Sequence, residues 1–314
     1  MKATCTCALL LALAAPAASP AADNPIVREN AKPGTTDWLL KNHKDFRPGT
    51  ESWRREKAIE GYCSHASIRP GETLTVFVST DPASRYTIDF YRMGYYGGKG
   101  GRHVLRKGPL DGKPQPTPED GPKMLIECRW EPAVAFEIPK DWLSGVYLGK
   151  LTALGSGAES YVVFIVRDDR KADLMFQCSD LTWQAYNRWP AWRSLYDFGK
   201  NKWHTRKGND VGFDRPYGIY YNGLPAHTQP ITNGSGEFLL WEFPLAFWLE
   251  REGYDVTYVS NLDTHADPEG LSRAKGFLSV GHDEYWTRRM FENLTRARDA
   301  GLSIAFLSGN SVSG

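Results

Sequence analysis

Hydrophobic and polar positions alternate through the first half of the chain. Thr73-Leu74-Thr75-Val76-Phe77-Val78 and Tyr86-Thr87-Ile88-Asp89-Phe90-Tyr91 set apolar side chains at every second position, and residues 146–154 and 160–166 supply two further runs. A period of two is the mark of a strand with one face buried. Turn-forming clusters separate the runs: Arg69-Pro70-Gly71-Glu72, the glycine-rich stretch 97–101, and Asp111-Gly112. Short strands at regular spacing, with no helical period between them, predict an immunoglobulin-like β-sandwich over residues 58–167. The glycine-rich stretch predicts a hairpin loop, not a phosphate loop. It lacks the Gly-Lys-Ser/Thr ending and opens onto no amphipathic helix. Residues 23–57, polar and broken by Pro and Gly, read as an extended lead-in anchored by Trp38 and Trp53.

The pattern changes after the charged joint Asp168-Asp169-Arg170-Lys171. Residues 172–178 are strand-like. Residues 237–253 have helical apolar spacing, with acidic residues near the start and Gly253 at the end. Strands follow at 254–259 and 276–280, a helix at 287–300 closed by Gly301, and a last strand at 302–307. Alternating strand and helix predict a mostly parallel sheet with helices on both faces over 172–314. The sequence stops in a loop just after a strand, where a covering helix is expected, so a longer protein is expected too.

Composition adds limits to this outline. A formal net charge of +1 gives no reason to expect a nucleic-acid partner. Mean hydropathy of -0.47 and the lack of a long apolar run past the N-terminus predict no membrane span. Residues 1–22 read as a signal peptide: Lys2, then the apolar run 8–15, then small residues. Export to the periplasm or outside the cell follows from that reading. Removal of the leader leaves Cys63, Cys128 and Cys178. Cys63 and Cys128, both in the β-rich half, are the candidate disulfide, with three buried thiols as the alternative. Cys178 ends an apolar strand and has no histidine nearby in sequence to activate it.

Ligands of open α/β sheets bind beyond the carboxyl ends of the strands. Three segments hold that position: Ser179 to Asp197, Gly281-His282-Asp283-Glu284-Tyr285-Trp286, and Ser308-Gly309-Asn310. His282 and Glu284, two residues apart, fall on one side of an extended chain. Their spacing matches a histidine–carboxylate iron site, and equally a helix cap made by Asp283 or Glu284 beside a backbone-bonded histidine. The first segment is rich in aromatics, among them Trp183, Tyr186, Trp192 and Tyr196. It reads as a buried cluster, a sugar-stacking platform, or a source of phenolate oxygens for a trivalent iron.

Several motifs in order, TWQAYN, SLYD, GFDRPY, NGSGEF, GHDEYW and LSGN, resemble the large (β) subunit of N,N-dimethylformamidase and its relatives. GYCSHASIRPGE, FYRMGYYGG and IPKDWLSGVYLGKL extend the resemblance back to about residue 58. It implies a flavodoxin/class I glutamine-amidotransferase-like α/β domain carrying a mononuclear Fe(III) site that hydrolyses a small amide-type C–N bond. The family's ligand positions fall on Tyr186, Tyr196 and Glu284, and its active-site histidine and asparagine on His282 and Asn310. A further glutamate of the family lies later than this sequence reaches. Trp183 and Trp192 are expected to wall the substrate site. A homo-oligomer or a small accessory subunit are the partners to expect.

Two readings from other classes stay open at this level. One is a secreted carbohydrate- or surface-binding protein whose Trp/Tyr rim stacks on sugars. The other is a non-haem iron oxygenase using His282 and Glu284 with a distal histidine such as His204 or His227. A serine hydrolase is disfavoured, because neither Ser235 nor Ser308 sits in a Gly-x-Ser-x-Gly elbow.

Overall fold

The structure, a computed structural model, describes residues 24–42, 55–197, 209–218 and 232–313. The leader, Trp53, His204 and His227 lie outside the described residues. Where an extended lead-in is expected, Pro25–Asn30 form a short helix, α1. Asn24 caps it, its side chain accepting from the amides of Ile26 and Val27, and Pro25 opens the first turn. Six residues are too few to show a helical period, so only the capping pair marked this helix.

Eight strands follow: β1 (Glu60–Cys63), β2 (Ser67–Ile68), β3 (Thr73–Ser79), β4 (Ser84–Met93), β5 (Gly101–Gly112), β6 (Pro132–Glu137), β7 (Gly145–Ala153) and β8 (Glu159–Val166). They make two sheets, of order β1-β3-β6 and β2-β8-β7-β4-β5. Leu74, Val76 and Val78 of β3 face Ile88, Phe90, Leu151, Val162 and Phe164 of the larger sheet across one core. The glycine-rich stretch joins β4 to β5, which pair antiparallel as a hairpin.

The larger sheet is buried on its other face as well. Tyr91, Met93, Val146, Leu148, Tyr161, Val163 and Ile165 pack against Phe176, Val256, Tyr258, Leu278 and Val280 of the second half. β8 is buried along its whole length, which is why its sequence runs apolar without alternation from Tyr161 to Val166. The two halves therefore share a core.

Cys63 and Cys128 do not form the expected disulfide; both are free thiols. Neighbours on a strand point to opposite faces. Tyr62 packs with Cys128, Trp130 and Trp189 on one side of β1, while Cys63 packs on the sandwich core on the other.

The second half carries β9 (Ala172–Cys178), β10 (Val256–Ser260), β11 (Ala274–Gly281) and β12 (Ser303–Ser308), all parallel, in the order β10-β9-β11-β12. Helices α2 (Asp180–Tyr186), α3 (Phe243–Arg251), α4 (Asn261–Ala266) and α5 (Arg288–Asp299) connect them. Ala246 and Leu249 of α3 pack on the face shared with the sandwich, and Leu294 of α5 packs on the other. The single helix expected over 237–253 is split into a π-helical turn, Phe238–Glu242, and α3. Pro244 lies in the first turn of α3, where its missing amide is tolerated, and it cannot sit further inside a helix. Among the described residues no helix is long and apolar enough to cross a membrane.

A buried polar network joins the lead-in, the sandwich and α3. Arg92 and Glu250 are both fully buried and pair at 2.8 Å and 3.0 Å. Glu250 also accepts from Tyr258 Oη at 3.0 Å and Asn30 Nδ2 at 2.7 Å. Arg92 donates to the Ser144 carbonyl and to Tyr96 Oη, which in turn donates to Glu29. Arg102 completes the group, donating to Glu29 at 2.7 Å. Every carboxylate here meets a guanidinium.

Candidate active site

Strand order places the site. The chain leaves β9 toward β10 on one side and later returns to β11 on the other, which opens a crevice at the carboxyl ends of β9 and β11. Asp283 forms the floor. Its carboxylate accepts from Gln177 Nε2 of β9 at 2.7 Å, Asn261 Nδ2 beyond β10 at 2.9 Å, and Ser279 Oγ of β11 at 2.7 Å. Neither Asp283 nor Glu284 caps α5; Thr287 does, accepting from the Met290 amide. Thr182 of α2 accepts from the amides of Glu284 and Tyr285 at 3.1 and 3.2 Å, fixing that loop to α2. Gly281 has φ +81°, and a Cβ there would come 2.7 Å from Glu242 Cγ. Glycine is required for both reasons.

His282 and Glu284 leave the floor on the same side, as the period of two predicts. Nε2 of His282 lies 3.2 Å from Glu284 Oε2. Tyr186, the last residue of α2, donates its hydroxyl to the same Oε2 at 2.7 Å. Tyr196 brings its ring to 5.6 Å from that of Tyr186, and the two hydroxyls are hydrogen-bonded. Asn310, in the left-handed region at φ +51°, points Nδ2 at His282 Nε2 from 3.3 Å. The structure thus brings together Tyr186, Tyr196, Glu284, His282 and Asn310.

Burial, then the bond to Glu284 and that carboxylate's charge, then Tyr196, push the Tyr186 phenol far above its usual range. Burial and the charge of Glu284 raise Tyr196 as well. Burial opposes the charged form of His282, but the contact and charge of Glu237, with the charges of Glu284 and Asp283, outweigh it and raise its pKa. The phenols are therefore neutral without a cation. Three hard oxygen donors meeting in one crevice, two of them 2.7 Å apart, fit a small trivalent cation, whose charge favours the phenolates.

Three further carboxyls lie around the crevice, and sequence reasoning assigned none of them to the site. Glu242 accepts from Trp183 Nε1 at 2.7 Å and from the amide and hydroxyl of Ser179; burial pushes it up to about 8. Asp180, buried and raised by desolvation, accepts from the Asn261 amide. Glu237 is 1% exposed, and its Oε2 stands 3.6 Å from His282 Nδ1. Glu237 lies in the motif NGSGEF, just before its final Phe238, the one available signal, but an acid at a helix start reads first as a dipole partner.

The remaining candidates lie elsewhere. Trp183 is in the core, 3% exposed, held by Glu242, and so does not stand as an open wall. Trp192 lies half-buried on the loop that follows α2, with the Arg188 guanidinium 4.8 Å from its ring centre. Ser235 is buried and donates to the Thr232 carbonyl. Ser308 is hydrogen-bonded to Ser311. Burial first, then the charges of Glu242 and Asp180, hold the Cys178 thiol well above its usual range, which leaves it unreactive. Among the described residues no group of three or more His, Cys, Asp or Glu side chains is arranged to hold a metal, so the oxygenase donor set is not assembled from them.

Residues 87–313 match a family described as N,N-dimethylformamidase beta subunit-like, C-terminal. The chain belongs to this family. At that level it is a dimethylformamidase-like chain, and the family points to an amidohydrolase. No curated protein matches the sequence. Among solved structures, Cwp6 from Clostridium difficile is similar at 8% identity with a TM-score of 0.17, covering 80% of this chain. The chain spans 37% of the length of that structure, and the likeness carries no argument about either.

Proposed function

We propose that this chain is an exported, iron-dependent hydrolase of small amide-type C–N bonds, on a flavodoxin/class I glutamine-amidotransferase-like α/β domain. The observation that carries the reading is the convergence of Tyr186, Tyr196 and Glu284 beside His282 and Asn310. The strand order, with the second strand of the sheet at one edge and the first beside it, supports the domain assignment. Tyr186, Tyr196 and Glu284 are the residues that hold the metal. Fe(III) bound there supplies Lewis acidity toward a carbonyl and a water.

The chain's own groups supply the rest. Nδ2 of Asn310 donates to the carbonyl oxygen as negative charge builds on it, in the manner of an oxyanion-hole amide. Nε2 of His282 takes a proton from the attacking water and returns it to the departing amine. Asp283 ties the His282 loop to β9, to β11 and to Asn261 just beyond β10. The test is amine release from a panel of short formamides and acetamides by the iron-loaded chain. Turnover is expected to fall about 10²- to 10³-fold in Asn310→Ala and to vanish in Glu284→Gln. Absence of hydrolysis across the panel by a stoichiometrically loaded protein contradicts the reading.

A further inference from the structure

Glu237 is the carboxylate whose position is least explained by folding. Neither of its oxygens accepts a hydrogen bond from any described residue, although the side chain is buried. Burying a carboxyl without donors is unfavourable, so its retention calls for a partner. The side chain that faces it is His282, through Nδ1 at 3.6 Å, a contact longer than a formed hydrogen bond. Local backbone is built to put it there. Gly236 has φ +60°, and a Cβ on it would come 2.7 Å from the Trp183 ring. The chain can therefore pass beneath Trp183 and turn Glu237 toward the crevice only with glycine at 236.

The other ring nitrogen faces Asn310 and Glu284. Asn310 aims Nδ2, a donor, at His282 Nε2 from 3.3 Å. The tautomer that accepts from Asn310 at Nε2 carries its proton on Nδ1, the nitrogen that faces Glu237. Glu284 Oε2, 3.2 Å from the same Nε2, receives the Tyr186 hydroxyl and keeps a second lone pair toward the ring, so the proton on Nδ1 is part of the inference and is what the test reads.

We infer that Glu237 is the positioning residue of His282: it holds the imidazole by Nδ1–H and so presents Nε2 to the reacting water. The inference rests on the hydrolase reading for its purpose, but not for its geometry. Glu237 touches no substrate atom and works through His282, as carboxylates behind functional histidines do elsewhere.

The test reads the ring nitrogens of His282 by nitrogen-15 NMR on the full chain freed of metal, with a His282→Gln sample to assign the signals. Wild type is expected to carry a slowly exchanging proton on Nδ1. In Glu237→Gln, a neutral acceptor, that proton moves upfield and exchanges faster; in Glu237→Leu it is lost and the ring is protonated on Nε2. An unprotonated Nδ1 in wild type overturns the inference, as does an unchanged signal in Glu237→Gln. Glu237→Gln decides if Glu237→Leu does not fold. In the loaded enzyme the loss in kcat is expected to be about 10- to 10²-fold, with KM little changed. A held Nδ1–H without amide turnover sinks the hydrolase reading alone. Turnover with an unprotonated Nδ1 sinks the positioning role alone.

Discussion

Two groups of buried carboxyls can be compared within this chain. Glu29 and Glu250 lie between α1, the sandwich and α3, and Arg92 and Arg102 pair with them. Asp180, Glu237, Glu242, Asp283 and Glu284 lie around the crevice at the ends of β9 and β11. Glu237 apart, their donors are hydroxyls, amides and an indole. Among the described residues, His282 is the only base in ion-pair contact with any of them. The first group is complete as a structural joint. The second is short of positive charge, as the proposed cation site requires.

The largest effect expected from breaking this contrast is in the first group. Arg92→Met leaves Glu250 buried without its guanidinium and is expected to destabilise the fold by about 3–5 kcal/mol in urea unfolding. A small effect would mean that Glu250 finds other compensation and that the two groups are alike.

Dependence on pH separates the groups by sign. Burial disfavours the Glu29 carboxylate, but Arg92, Lys32 and Arg102 outweigh burial and lower it from 4.5 to about 2. Its stabilising contribution is thus complete above 4.5 and is lost as pH falls toward 2. Glu242 is raised from 4.5 to about 8 by burial. The native state then holds the extra proton, so the metal-free protein loses stability as pH rises from 4.5 to 8. Glu242→Gln should remove that second slope and leave the acid limb intact, as read by urea titrations across pH. A slope that persists in the variant assigns it to another group of the crevice.

A smaller effect probes the crevice floor. Gly281→Ala places a side chain at φ +81° against Glu242, and about 1–3 kcal/mol of stability should be lost. Trp192→Ala removes the stacking of Arg188 and should change stability by about 0.5–1 kcal/mol. Both are checked by thermal and urea unfolding.

Much of the fold was legible where one face of an element is buried. The run 73–78 alternates because β3 buries one side, and 172–178 was bounded correctly by its apolar run. Legibility failed where context decided the outcome. The helix over 237–253 is interrupted by a π-helical turn next to Pro244, and the split places Glu242 between Ser179 and Trp183. Tyr62 and Cys63 show the same limit: a strand's two faces decide that Cys63 and Cys128 stay apart, and spacing in sequence does not reveal it. In the crevice, the shared side of His282 and Glu284 followed from the period of two. Tyr186, Tyr196 and Asn310 came from family resemblance, because only the sheet order brings their loops together. Glu237 was missed, since its partner lies 45 positions away along the chain, at His282.

The central claim is that the crevice takes a cation on phenolate oxygens. Iron content and the visible spectrum of wild type beside Tyr186→Phe test it most directly. The account predicts about one iron per chain with a broad phenolate-to-iron absorption band in wild type, and loss of that band in the variant. A folded protein that binds no iron, or one that binds it and keeps the same band in Tyr186→Phe, would contradict it.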